Sequence, residues 1–230
     1  MTARTEYPDA GRLRDVIPVF PLSGVLLMPG GQLPLNIFEP RYVSMTIDAM
    51  GAGRLIGMIQ PAPGPGVEAR DPDFREQPPL CQVGCAGRIV SFSETGDGRL
   101  LITLLGLTRF HIGRELAMEK GYRRVEALYA AFEQDLTGGG GPDAQLDRVG
   151  LIKAAAGYFK SQGFDANWTE IERLADSELL ASLAMACPLD GRDKQALLEC
   201  ADPAGQARLL TELLTMAAHG EAVGLKGAAH

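Results

Sequence analysis

The stretch Ile17–Tyr42, IPVFPLSGVLLMPGGQLPLNIFEPRY, sets five prolines and three glycines among residues that are otherwise mostly aliphatic and aromatic. Proline fixes φ and donates no backbone hydrogen bond, so each one ends a strand, opens a helix or marks a sheet edge. A hydrophobic stretch punctuated this way is neither one helix nor one long strand. The spacing predicts short strands at Val16–Phe20, Val25–Met28 and Leu33–Phe38, followed by a helix that opens at Pro40.

The same β pattern continues to about residue 132. Arg54–Gln60 reads as a buried strand. Gly84–Ser93 and Arg99–Leu105 read as a hairpin around Thr95-Gly96-Asp97-Gly98. Leu107–Ile112 continues the sheet after a kink at Gly106, and Gly121–Ala131 is the last strand candidate. Glycine, 28 of 230 residues, is well above the usual ~7% and fits a fold with many turns. Many short strands with one early helix predict a closed or half-closed barrel.

Two segments interrupt the pattern. Pro61–Pro79, with six prolines and mixed charge, reads as a long mobile excursion. Thr137–Pro142 contains four consecutive glycines and marks the boundary between modules. Beyond it the period becomes 3.6. Val149, Ile152, Ala156 and Phe159 share a helical face, and Thr169-x-x-Glu172 has the form of a capping box. Leu179, Leu180, Leu183 and Cys187 continue a helix until Pro188. A short helix around Lys194–Cys200 follows, and Asp202-Pro203 opens a final one. The expected fold class is α+β: a disordered arm (1–12), a β-rich pseudobarrel (13–132), a glycine-rich linker (133–145), an antiparallel helical bundle (146–219) and a frayed tail (220–230).

The formal charge of −7 and the lack of a basic stripe count against a nucleic-acid partner. No run of eighteen apolar residues and no N-terminal h-region occur, so no membrane partner is expected and the cytoplasm is the expected location. Cys81, Cys85, Cys187 and Cys200 lack the paired spacing of a structural zinc site and are expected as free thiols. Gly51-Ala52-Gly53-Arg54-Leu55-Ile56-Gly57 has one residue too many for a dinucleotide loop and precedes a strand. His111 sits in a predicted strand with no nucleophile elbow to serve. No catalytic residue, cofactor or metal is assigned.

The order I-P-V-F-P-L, L-x-P-G, L-P-L-x-I-F-E-P-R-Y resembles the N-terminal domain of the Lon family of ATP-dependent proteases. It is similar above all to small bacterial proteins that consist of that domain alone. Arg54-Leu55-Ile56-Gly57, Val83–Ile89, Leu105–Phe110, Lys194–Glu199 and Arg208-Leu209-Leu210 extend the resemblance over residues 16 to about 218. It implies a PUA-like pseudobarrel joined to a helical bundle. In full-length proteases that domain helps to recognise unfolded or tagged substrates and supports hexamer assembly. The sequence contains no G-x4-G-K-[S/T] phosphate loop and no residues corresponding to the family's Ser–Lys proteolytic dyad.

The expected function is therefore a non-catalytic protein-interaction module that binds unfolded or extended polypeptide. The alternatives are an adaptor docking on another protease complex, an RNA-associated PUA-like module, and a small-molecule hydrolase with a cryptic site around His111. The candidate partner-binding residues are Phe74, the one large apolar residue of the proline-rich segment, and Phe38, Glu39, Arg41 and Tyr42. In a scaffold reading of the second group, Phe38 and Tyr42 anchor helix to barrel while Glu39 and Arg41 satisfy local backbone.

Overall fold

The computed structural model describes residues 13–62, 78–137 and 146–224. The expectations for the N-terminal arm, for most of the proline-rich segment including Phe74, and for the glycine run lie outside these residues. Among the described residues the fold is α+β, with six strands, six α-helices and one 3-10 segment.

β1 (Val16–Pro21) pairs in parallel with β3 (Leu55–Ile59) and antiparallel with β6 (Tyr122–Leu128). β3 continues to β4 (Val83–Glu94), β4 to β5 (Leu100–Glu119), and β5 back to β6. This ring of five strands closes a small barrel. β2 (Gln32–Ile37) stands outside it and pairs with the first part of β5 alone. Inside the barrel Ile17, Val19, Leu55, Ile59, Leu107, Phe110 and Val125 form one cluster. The Phe110 ring fits because its strand neighbours carry no side chain. A Cβ on Gly57 or Gly84 would come to 2.9 or 2.7 Å from its Cζ.

Residues 25–28 are not the strand their composition predicts. Leu26, Leu27 and Met28 are buried in succession without pairing to a neighbouring strand. They form a loop laid across β5, bounded by Gly24 and Gly30, both at positive φ. Two backbone bonds tie it to one residue of β5, Gly30 N donating to Gly106 O and Gly106 N donating to Gly31 O, both at 2.9 Å, while Gly31 N closes the turn onto Met28 O. A Cβ on Gly106 would stand 2.0 Å from the Met28 carbonyl, so glycine is required there. Next to it Leu107 bulges out of register with β4 and turns into the barrel.

α1 (Pro40–Gly51) opens at Pro40 as expected and buries Tyr42, Met45, Thr46 and Ala49. β6 stops at Leu128, and residues 130–137 form a 3-10 segment rather than strand and linker. The reason is Asp135, which is buried against Arg109. The Arg109 guanidinium donates to both Asp135 oxygens (2.9 and 2.8 Å) and lies over the Phe132 ring. Its remaining N–H groups reach the carbonyls of Leu198, Cys200 and Ala201. One barrel residue thereby holds the 3-10 segment and the helical part together.

The helical part comprises α2 (Arg148–Gln162), α3 (Trp168–Ile171), α4 (Asp176–Ala186), α5 (Gly191–Glu199) and α6 (Pro203–Gly224). α2 buries Leu151, Ala155 and Tyr158, leaving Val149 78% exposed, so the expected face is rotated. The expected cap at Thr169 is supplied instead by Asn167, whose side chain accepts from Glu170 N. Asp202 caps α6 by accepting from Gly205 N at 2.7 Å, and α6 extends to Gly224, into the expected tail. One continuous apolar cluster runs from Phe20, Leu27 and Ile102 through Met45 to Leu151, Leu179, Leu197 and Leu210. A polar seam flanks it: Gln60 donates to Gly191 O and Gln195 Oε1, Gln195 donates to Val83 O, and Lys194 donates to Gly24 O.

Candidate functional site

β4 and β5 are longer than the barrel needs. Leu100–Leu105 of β5 pair with Glu94–Arg88 of β4 on one side and with Ile37–Gln32 of β2 on the other. The result is a three-stranded wing projecting from the barrel. Side chains alternate across it. Ile37, Leu100, Ile102 and Leu104 face the helices and are buried, while Asn36, Leu101 and Ser93 face away.

Both edges of the wing lack a strand neighbour among the described residues, but they differ. β2 carries Pro34 at its centre, which removes a donor, and Met185 of α4 packs against Gly31 at its start. β4 loses β3 beyond Ile89, whose N–H still reaches Arg54 O. Arg54 adopts φ 62°, turning the chain away there. Residues 90–94 are thus left with a proline-free edge. Val90, at a bulge, and Phe92, 41% exposed, lie along it.

The Phe38–Tyr42 segment joins the wing to α1. Phe38 is 62% exposed at the end of β2, with the Arg99 guanidinium 5.9 Å from its ring. It does not anchor the helix. Tyr42 does: it is buried, 4.2 Å from the Phe20 ring centroid. Glu39 and Arg41 bond to each other rather than to backbone, at 2.8 Å, and the Arg41 guanidinium lies 4.6 Å over Tyr42. Phe38 therefore belongs with Leu101 on the outer face of the wing, and the other three form a self-contained cluster. Phe92, Leu101 and Glu94 were not singled out in the sequence. In LLITLL both faces read as apolar, so alternation could not say which residues face out.

Other groups are committed to structure. His111 stacks on Phe132, centroids 5.0 Å apart. Burial pushes the Cys85 thiol far up and that of Cys187 up to about 11, so both are protonated at neutral pH. Thiolate chemistry at either is disfavoured. Among the described residues no group of three His, Cys, Asp or Glu could hold a metal, and no helix is long and apolar enough to cross a membrane. A cleft of about 640 Å³ lies between the start of β1, the end of α1 and the β5–β6 turn. Its polar lining is largely paired internally: Asp48 with Lys120 and Tyr122, Glu119 with Arg124, and Arg14 with the Ala52 carbonyl.

Residues 16–216 match the sequence model of the ATP-dependent protease La (LON) substrate-binding domain. The chain is 30% identical over 213 residues to Lon protease 2 of Sorangium cellulosum, covering 90% of this chain and 25% of that protein. Lon protease 2 of Myxococcus xanthus is 28% identical over 207 residues, covering 87% and 23%. The chain thus spans about a quarter of the length of these relatives. The fold is that of a Lon N-terminal domain protein from Xanthomonas campestris, with a TM-score of 0.53 at 24% identity over 86% of this chain and 96% of that one. The N-terminal domain of the Mycobacterium avium complex Lon protease gives 0.54 at 18% identity, over 87% and 98%. With the match running across barrel, wing and helices alike, the chain belongs to the LON substrate-binding domain family.

Proposed function

We propose that this chain is a non-catalytic module that binds unfolded or extended polypeptide segments. The observation that carries the reading is the wing. It presents Phe38 and Leu101 on its outer face and the partly exposed Phe92 at the open edge of its inner face, on a sheet held rigid by the helical core. Scattered single apolar residues on a surface are ordinary, but three on one short sheet beside an open edge suit an extended chain. Relatives named as proteases that align with about nine-tenths of this chain support a protein partner. The net charge of −7 favours segments that carry basic residues over nucleic acid.

The test is a titration of isotope-labelled chain with a reduced, permanently unfolded polypeptide and with the same polypeptide folded. Selective chemical-shift changes and a gain in anisotropy with the unfolded form alone are expected. An equal response to both forms, or none to either, overturns the reading.

A further inference from the structure

From the difference between the two edges of the wing, we infer that the bound segment joins the sheet as a strand beside residues 90–94 of β4, placing an apolar residue next to Phe92 and a basic residue next to Glu94. This rests on the reading above and adds the mode of binding and the chemistry of the segment.

Phe92 pairs with Ile102, and Glu94 with Leu100. Residues directly opposite in an antiparallel pair share a face, so Phe92 and Glu94 both lie on the inner face, two residues apart. The apolar row Leu35–Ile102–Phe92 therefore crosses the wing and stops at a side chain that is 41% exposed. One further strand would continue that row and cover Phe92. Glu94 is exposed and has no ion-pair partner among the described residues. A cation on the added strand would find it free. The intervening position of the segment falls on the outer face with Ser91 and Ser93, where polar residues are welcome.

Other edges suit a new strand less well. β2 is interrupted by Pro34. The outer edge of residues 113–119 is lined by Arg114, Glu115 and Glu119, each already ion-paired within the β5–β6 hairpin, and charged edges of this kind oppose strand addition. Backbone pairing itself is indifferent to sequence. The demand on the segment is thus light: extended backbone with apolar and basic residues at i and i+2.

The experiment uses the full chain and a short probe peptide, Ser-Thr-Leu-Thr-Arg-Thr-Ser, with capped ends. A second peptide carries Leu and Arg adjacent, which places them on opposite faces. Two more carry backbone N-methyl groups on alternate residues, in the two possible frames. Binding is followed by the amide shifts of residues 90–94. The first peptide is expected to bind about three- to tenfold more tightly than the adjacent version. N-methylation in one frame is expected to abolish binding and in the other to leave it largely intact. Glu94→Lys, an exposed change, is expected to transfer the preference to a Leu-x-Glu peptide. Equal binding of both N-methylated frames, or an unchanged charge preference in E94K, overturns the inference. If the unfolded polypeptide binds but shifts residues away from β4, the edge mode fails and the proposed function stands. If it does not bind at all, both fail together.

Discussion

β4 and β5 pass through both the barrel and the wing, yet the two regions treat the same strands in opposite ways. Within the barrel, residues 85–88 of β4 lie between β3 and β5, and β5 leaves β4 at His111 as it takes up β6, so the five strands close on themselves. Past the crossing at Gly106 the strands continue but the ring does not. There β4 keeps one neighbour, and its side chains divide into a face covered by helices and a face open to water. Closure produces a scaffold, and the stretch it leaves open, residues 113–119 of β5, is lined by paired charges. The proposed recognition through the backbone falls to the part that stays open, and one glycine under a crossing loop marks where the one becomes the other.

The contrast is broken most readily at the barrel's two largest buried commitments. Arg109→Met leaves Asp135 buried without its partner and is expected to cost about 3–5 kcal/mol in urea unfolding. Phe110→Ala empties the space over Gly57 and Gly84 and is expected to cost about 3–5 kcal/mol as well. In the Phe110→Ala background, Gly57→Ala should be tolerated better than in the parent, because its closest clash is with that ring. A double-mutant cycle reads the coupling directly. Phe92→Ser, on the wing, should stay within about 0.5 kcal/mol. A wing substitution as costly as a barrel one would erase the distinction.

The boundary itself can be probed next. Gly106→Ala forces the loop carrying Met28 to move and is expected to cost about 1–3 kcal/mol, with amide shifts concentrated at residues 25–31 and 87–89. Thiol labelling sharpens the same line: at pH 8, Cys85 and Cys187 should resist alkylation until the chain unfolds, while half-buried Cys81 and Cys200 react from the folded state. Burial raises Cys187 to about 11, offset in part by the nearby Lys194 charge. A raised folded value means the neutral thiol is favoured by folding. That stabilisation is complete below about pH 8.5, the unfolded thiol's value, and is lost as pH rises through about 11. The fall in urea midpoint over this window should be shallower in Cys187→Ala, whatever that variant's offset. A similarly small effect belongs to Phe38→Ala. It removes a cation–π contact at an exposed site, worth about 0.5–1 kcal/mol, and is expected to weaken polypeptide binding more than stability.

Much of the fold was legible because its signals are local. Pro40 opened α1, Thr95–Gly98 turned the hairpin, Asp202-Pro203 began α6, and the quoted motifs carried the family resemblance. What stayed illegible depends on partners far along the chain. Leu26-Leu27-Met28 looks like strand until Gly106 is placed beneath it. Val149, Ile152 and Phe159 satisfy helical spacing as well as Leu151, Ala155 and Tyr158 do, and only α6, packed along α2, decides between them. Asp135 reads as part of a soft linker because its arginine lies 26 residues earlier. Of the proposed site, Phe38 is singled out by its neighbours in a motif. Phe92 and Glu94 could not be, since their exposure follows from where β3 ends.

The reach of Arg109 to the carbonyls of Leu198, Cys200 and Ala201 has a consequence for how such a domain can be exchanged in evolution. Grafting the helices of one family member onto the barrel of another preserves the fold only if the end of the grafted α5 and the loop after it offer three acceptors in the same places. A loop longer or shorter by one residue would leave a buried cation short of bonds. The glycine run looks like a natural point for recombination, but the joint that must be inherited whole lies sixty residues further on, between Leu198 and Ala201.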